Sequence, residues 1–143
     1  MLLLKLAVII SLVCGLWACG IGQNEVSFQD EGNLCFGYYL GSIEVDQEIE
    51  VTVRAPGCFS SSCTSLKFAE CEIIIDGDEL VIYSEIVVRD RSRIEGACTT
   101  DCGIYSAKCQ APALAEGEYT VRHGEESLTL EVPFDEPHCD HGY

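Results

Sequence analysis

Leu66-Lys67-Phe68-Ala69-Glu70-Cys71-Glu72-Ile73-Ile74-Ile75, then Asp76-Gly77-Asp78, then the run from Leu80 to Val88, is the stretch that decides the fold. Two apolar runs flank an Asp-Gly pair. Glycine reaches positive φ at little steric cost, so Asp-Gly between such runs is a strong hairpin signal. Leu66, Phe68 and Ile74 stand at alternating positions, the period of a strand with one buried face. The chain therefore starts from a β-hairpin at its centre.

Before the hairpin, Cys58-Phe-Ser-Ser-Ser-Cys63-Thr-Ser reads as a polar cysteine loop, and Ala55-Pro56-Gly57 as a strand stop. Ile43-Glu44-Val45 and Ile49-Glu50-Val51-Thr52-Val53 alternate apolar and polar residues, and residues 34–40 are aromatic and apolar. Residues 20–33 are polar and glycine-rich, a tether with a weak strand at 26–28. After the hairpin, residues 90–96 form a polar connection. Cys98, Cys102 and Cys109 lie close together in a strand or loop. Residues 119–123 and 127–132 form a last hairpin over Gly124. Pro133 closes the sheet, and Cys139 ties back the tail. No window of a dozen residues outside the first twenty keeps a helical period. Seven or eight short strands separated by turns predict an all-β fold, an antiparallel β-sandwich over residues 34–143.

Leu114-Ala-Glu-Gly-Glu-Tyr119-Thr-Val resembles the turn and strand entry of immunoglobulin-like domains, where a tyrosine corner sits. The resemblance covers about twenty residues and makes Tyr119 the corner tyrosine. It implies an immunoglobulin-like sandwich with its own disulfides. The cysteine usual two residues after the corner is Val121 here, and no tryptophan lies beyond Trp17.

The first twenty residues carry one charge, Lys5, then an apolar run from Leu6 to Val13 that continues to Ala18. This is the layout of a secretory signal peptide, here a signal helix. The alternative, a membrane-spanning helix, needs about 20 apolar residues, more than this run supplies. Leu16-Trp17-Ala18-Cys19 resembles the bacterial lipobox. The resemblance implies a lipoprotein signal peptide at 1–18, lipidation of Cys19, and a lipid-anchored tether at 19–33. Gly20, rather than Asp, after the lipidated cysteine leans towards the outer membrane of the cell envelope. The alternative is an ordinary signal peptide and a freely secreted cysteine-rich protein.

Ten cysteines occur in the chain. Cys14 leaves with the leader and Cys19 takes lipid. Cys35, Cys58, Cys63, Cys71, Cys98, Cys102, Cys109 and Cys139 remain, an even count that implies four disulfides in an oxidising compartment. Eight cysteines allow about 105 pairings, and the sequence does not choose among them.

Beyond residue 18 there are 7 basic and 24 acidic residues, a net charge of about −17. Such a field disfavours nucleic acid and anionic lipid as partners. No C-x-x-C motif points to a redox site or a zinc knuckle. His138-Cys139-Asp140-His141 has the composition of a metal clip, but Cys139 is needed for an even disulfide count. Asp76, Asp78 and Glu79 are too few for calcium, which takes about six to eight oxygens. No cofactor or metal is expected. Ser60-Ser61-Ser62 lacks a G-x-S-x-G elbow, and His123 reads as an exposed residue before a turn. Arg89, Arg91 and Arg93 are the one local basic patch, read as offsetting neighbouring carboxylates. The expectation is a lipid-anchored cell-envelope binding or structural module, not an enzyme, presenting loops to a protein or glycan. An envelope hydrolase or redox accessory is the alternative. The hydrolase requires His123 to meet a Ser and an Asp.

Overall fold

The central hairpin forms as its sequence dictates, in a computed structural model that describes residues 24–37, 43–134 and 138–139. The strands, in chain order, are β1 Asn24–Gln29, β2 Asn33–Phe36, β3 Ile49–Arg54, β4 Thr64–Asp76 and β5 Glu79–Asp90. A four-residue helix, α1 Ser92–Glu95, follows. Then come β6 Ser106–Ala111, β7 Gly117–His123, β8 Glu126–Val132 and β9 His138–Cys139. β4 and β5 pair along almost their whole length, and Gly77 turns the corner at φ 62°. A bulge between Leu66 and Phe68 breaks their expected alternation. Leu66 lies opposite Val88, on the inner face, whereas Phe68 lies opposite Val87, on the outer face.

β5 is the axis of a five-stranded sheet. β4 lines one edge of it. The other edge is shared: β7 runs beside residues 79–82, and β1 beside residues 85–90. β8 pairs with β7. The second sheet has the order β6-β3-β2-β9. All pairings among the described strands are antiparallel except β5–β7, which is parallel. That pairing corrects the expectation of a wholly antiparallel fold. β5 and β7 are separated by α1 and β6, so no tight turn forces them to run in opposite directions.

The two sheets close on one apolar core. β5 contributes Leu80, Ile82, Ile86 and Val88; β7 and β8 add Val121, Leu130 and Val132. Phe36, Val51 and Val53 face them from the second sheet. The inward residues recur at every second position, so the alternation in the sequence is the alternation in the fold.

Four disulfides join Cys35–Cys139, Cys58–Cys102, Cys63–Cys98 and Cys71–Cys109. Cys71 of β4 and Cys109 of β6 tie the first sheet to the second. Cys35 holds β9 to β2.

Several local expectations shift. Residues 24–29 are a full strand rather than tether, because their alternate residues Val26 and Phe28 pair with Val88 and Ile86. The sheet thus begins well before residue 34. Ile43 makes only a bridge to Phe134 instead of a strand, and a short helix replaces the polar connection after Asp90. Tyr119 is buried and donates its hydroxyl to the Ala115 carbonyl oxygen at 3.0 Å. The signal peptide at 1–18, Cys19 and residues 20–23 of the tether lie outside the described residues. So do Asp140 and His141.

Candidate functional site

Three places in the fold gather polar chemistry. The first is the point where β5 changes partner. β7 ends its pairing at His123 opposite Ile82, and β1 ends its pairing at Gln29 opposite Glu85. Tyr83 and Ser84 fall in the gap. Asp30, just past β1 and at φ 51°, fills it twice. Its N–H donates to the Ser84 carbonyl at 2.9 Å, and its Oδ1 accepts from the Ser84 N–H at 2.8 Å. Gly124 makes room, since a Cβ there would stand 2.4 Å from the Asp30 carbonyl oxygen.

Along the inward register of β5, Ser84 is the one polar residue among Leu80, Ile82, Ile86 and Val88. A hydroxyl buried there needs a partner. It finds His123, whose Nε2 lies 2.9 Å from Ser84 Oγ. Ser84 is 5% exposed and His123 3%. The expectation of an exposed His123 is therefore wrong. In β7 its side chain follows Tyr119 and Val121 into the interior, and the turn begins only at the next residue. Burial pushes the imidazole below its ordinary pKa, while the negative charges of Asp30 and Glu126 pull the other way.

A neutral imidazole bonded to a hydroxyl is half of a nucleophile-and-base arrangement. Asp30 supplies charge nearby, but its Oδ1 accepts from the Ser84 main chain. Among the described residues no hydrogen bond joins that carboxylate to the imidazole. The cluster closes the seam in the sheet; it lacks the orienting bond of a Ser-His-Asp triad. The sequence carried one signal for it, the lone serine in an otherwise apolar inward register.

The second place is the end of the sandwich where two staples meet. Cys58–Cys102 and Cys63–Cys98 clamp Ser60, Ser61 and Ser62 against residues 98–102. Ser60 Oγ lies 2.9 Å from Thr99 Oγ1, and Ser62 Oγ accepts from the Thr99 N–H at 2.9 Å. Asp101 accepts from the Ser61 N–H and from the Thr99 hydroxyl. Hydrogen bonds from Ser61, then Thr99, hold its carboxyl below the ordinary range. These hydrogen bonds run between the two cysteine loops, so this site is a lock between them.

The third place is the outer face of the β4–β5 hairpin. Val81, Tyr83, Glu85 and Val87 point outward from β5. Opposite them on β4 stand Ile74, Glu72, Glu70 and Phe68. The cations of this face sit at its two ends. Lys67 and Arg89 meet Glu25, at 2.7 and 3.7 Å, and Arg122 meets Glu79 at 2.9 Å. The Lys67 hydrogen bond is the main reason that the Glu25 carboxyl titrates lower than usual. Arg89, expected in a basic patch, thus faces a carboxylate. Arg93, on α1, helps to hold the Asp90 carboxyl low, after the hydrogen bonds from Ser92.

The other candidates fall apart. Glu79 pairs with Arg122, and Asp78 turns its carbonyl to the Thr120 N–H. Cys139 of the tail motif is in a disulfide. No group of three or more metal-ligating side chains gathers among the described residues. Comparison with protein-family models, with curated proteins and with solved structures finds no match.

Proposed function

We propose that this protein is a binding or structural module of the cell envelope, anchored through lipid on Cys19 and carrying a stapled β domain outside the cytoplasm. The observation that carries the reading is the complete pairing of the eight cysteines beyond Cys19. Four disulfides suit an oxidising compartment. They also leave no described cysteine to pair with Cys19, which suits a thiol used for lipid. Two or more acyl chains hold a protein firmly to a membrane. The immunoglobulin-like assignment draws support from the Tyr119 bond to Ala115, the geometry of a tyrosine corner. The parallel β5–β7 pairing and the absent core tryptophan depart from the commonest form of that fold.

The test is the intact mass of the membrane-extracted protein, before and after reduction. The mass of residues 19–143 plus acyl chains, rising by eight hydrogens on reduction, supports the reading. A soluble, unmodified protein with a free thiol refutes the anchor.

A second reading, an envelope hydrolase, rests on the Ser84–His123 hydrogen bond beside Asp30. A fluorophosphonate probe tests it. Labelling that is lost in Ser84→Ala favours the hydrolase, and absence of labelling in the native protein removes it.

A further inference from the structure

The outer face of the β4–β5 hairpin has an order of side chains that its own fold does not use. Read along the strands, the cross-strand pairs are Phe68 with Val87, Glu70 with Glu85, Glu72 with Tyr83, and Ile74 with Val81. Successive layers are about 7 Å apart, two residues of a strand. Phe68 is 37% exposed, and Ile74 and Tyr83 are each 48% exposed, so the apolar groups at both ends of the ladder meet solvent. Between them stand three carboxylates. Glu70 and Glu85 are direct cross-strand neighbours, and like charges in that relation destabilise a sheet.

Nothing described neutralises these carboxylates. Lys67 and Arg89 are held at one end of the face by Glu25, and Arg122 at the other end by Glu79. Glu85 accepts only a hydroxyl, from Ser27 at 3.2 Å. No side-chain hydrogen bond or ion pair joins Glu70 or Glu72 to another described residue. Beside them lies an open hollow of about 480 Å³, lined by Glu70, Glu72, Tyr83, Glu85 and Gln29 among others. The cations of the face are thus bonded at its ends, two to Glu25 and one to Glu79, and its middle carries three carboxylates with none.

We infer that this face is a docking surface for a cationic, apolar-flanked polypeptide segment, with Lys or Arg set among Glu70, Glu72 and Glu85 and apolar side chains set on Phe68–Val87 and Ile74–Val81. The inference rests on the binding-module reading and names the partner's chemistry. Charge complementarity selects the occupant. A second copy would bring the same carboxylates and the same strongly negative net charge. Nucleic acid and anionic lipid are repelled by that charge. A neutral glycan leaves the Glu70–Glu85 repulsion in place, whereas a cation removes it. The exposed aromatic and aliphatic groups then bury the partner's apolar side chains on either side of the charge.

The test uses the full-length, detergent-extracted protein and three labelled ten-residue peptides: alternating Leu-Lys, alternating Leu-Ser and alternating Leu-Glu. Binding is read by fluorescence anisotropy. The triple variant Glu70→Gln/Glu72→Gln/Glu85→Gln removes the central charges. A control variant, Glu118→Gln/Glu131→Gln, removes another directly opposed glutamate pair of the same sheet, one whose next outward neighbours, Thr120 and Thr129, are polar. The inference expects the Leu-Lys peptide alone to bind, with affinity falling at least tenfold in the triple variant and less than twofold in the control. Phe68→Ser/Tyr83→Ser should weaken binding as well. Thermal unfolding keeps the result interpretable, since the triple variant should melt no lower than the native protein.

Equal weakening in the triple and control variants would mean attraction to net charge only, and overturns the site. Binding of the Leu-Ser peptide as tight as that of Leu-Lys overturns the cationic partner. Failure of all three peptides overturns the inference too. None of these outcomes touches the anchor, which the mass measurement decides separately.

Discussion

Removing the staple between the two sheets, by Cys71→Ala with Cys109→Ala, should cost about 3 kcal/mol of folding stability. The magnitude follows from the topology of the cross-links. Cys71 and Cys109 are 38 residues apart in sequence. The other bridges shorten the loop that this one closes. The shortest remaining covalent route passes through Cys63–Cys98 and spans about 20 residues. Closing a loop of that length removes about 3.3 kcal/mol of unfolded-chain entropy near room temperature. The folded state should lose little in return. Cys71 lies within the twelve-pair register of β4 with β5, and Cys109 within the six-pair register of β6 with β3. Both strands keep their hydrogen bonds when the bridge is gone, so neither end gains freedom by fraying. Alanine avoids burying a hydroxyl at Cys109, which sits in the core. The assay is equilibrium unfolding in urea. The midpoint should fall and the slope should rise, because a less cross-linked chain exposes more surface. On heating, the midpoint should drop by about 10 °C. A loss below about 1 kcal/mol would refute the reasoning, since it would mean that the unfolded chain is already confined by something other than its cross-links.

His123 makes stability depend on pH in a defined direction. Its pKa in the folded state lies below 6.5, its ordinary value, so above that pH both folded and unfolded states are neutral and the full stability is present. As pH falls below 6.5 the unfolded state takes up the proton first and stability declines, by at most about 1.4 kcal/mol per pH unit. Urea titrations between pH 5 and pH 8, about the range in which histidine titrates, should show the decline in the native protein and not in His123→Gln. Tyr119→Phe removes the hydroxyl donated to Ala115 and should cost about 0.5–1.5 kcal/mol, measured by the same unfolding experiment. Gly124→Ala should cost more than Gly77→Ala. Both glycines have positive φ, worth about 1 kcal/mol to a residue with a Cβ, but only at Gly124 does the Cβ run into a backbone oxygen, that of Asp30. Hydrogen exchange at the Ser84 amide, which Asp30 holds, should speed up in the first variant alone.

What the sequence made legible was local and periodic. The Asp-Gly pair announced the β4–β5 hairpin, and the alternation of residues 49–53 and 127–132 announced β3 and β8, because strand period and turn chemistry are properties of neighbouring residues. The eight cysteines announced four bridges by their parity. Which cysteine meets which depends on how strands far apart in sequence are stacked, and that is set by the whole core. The Leu66–Phe68 bulge was hidden for a related reason. The alternation in sequence is intact there, and only the partner strand shows that an extra residue has been accommodated.

Asp30, Ser84 and His123 illustrate the harder limit. Each looked ordinary in its own segment: an acid in a polar linker, a serine within a strand, a histidine before a turn. Their meaning appears only because β5 is shared end to end by β1 and β7, which leaves Tyr83 and Ser84 without a strand partner on that edge. A sheet that changes partners mid-strand must satisfy the backbone at the change, which Asp30 does here, while His123 takes the Ser84 hydroxyl. Asp30 follows β1 and His123 closes β7, so the two groups that satisfy Ser84 are supplied by the two strands whose meeting created the gap. The outer face of the same strand has no such constraint. Glu70, Glu72 and Glu85 close no seam and satisfy no buried group, and the Glu70–Glu85 opposition costs the sheet stability. Burial and backbone pairing account for the inner face of β5 residue by residue. The outer face is left with an order of side chains that folding does not require, and it is there that selection for a partner has room to act.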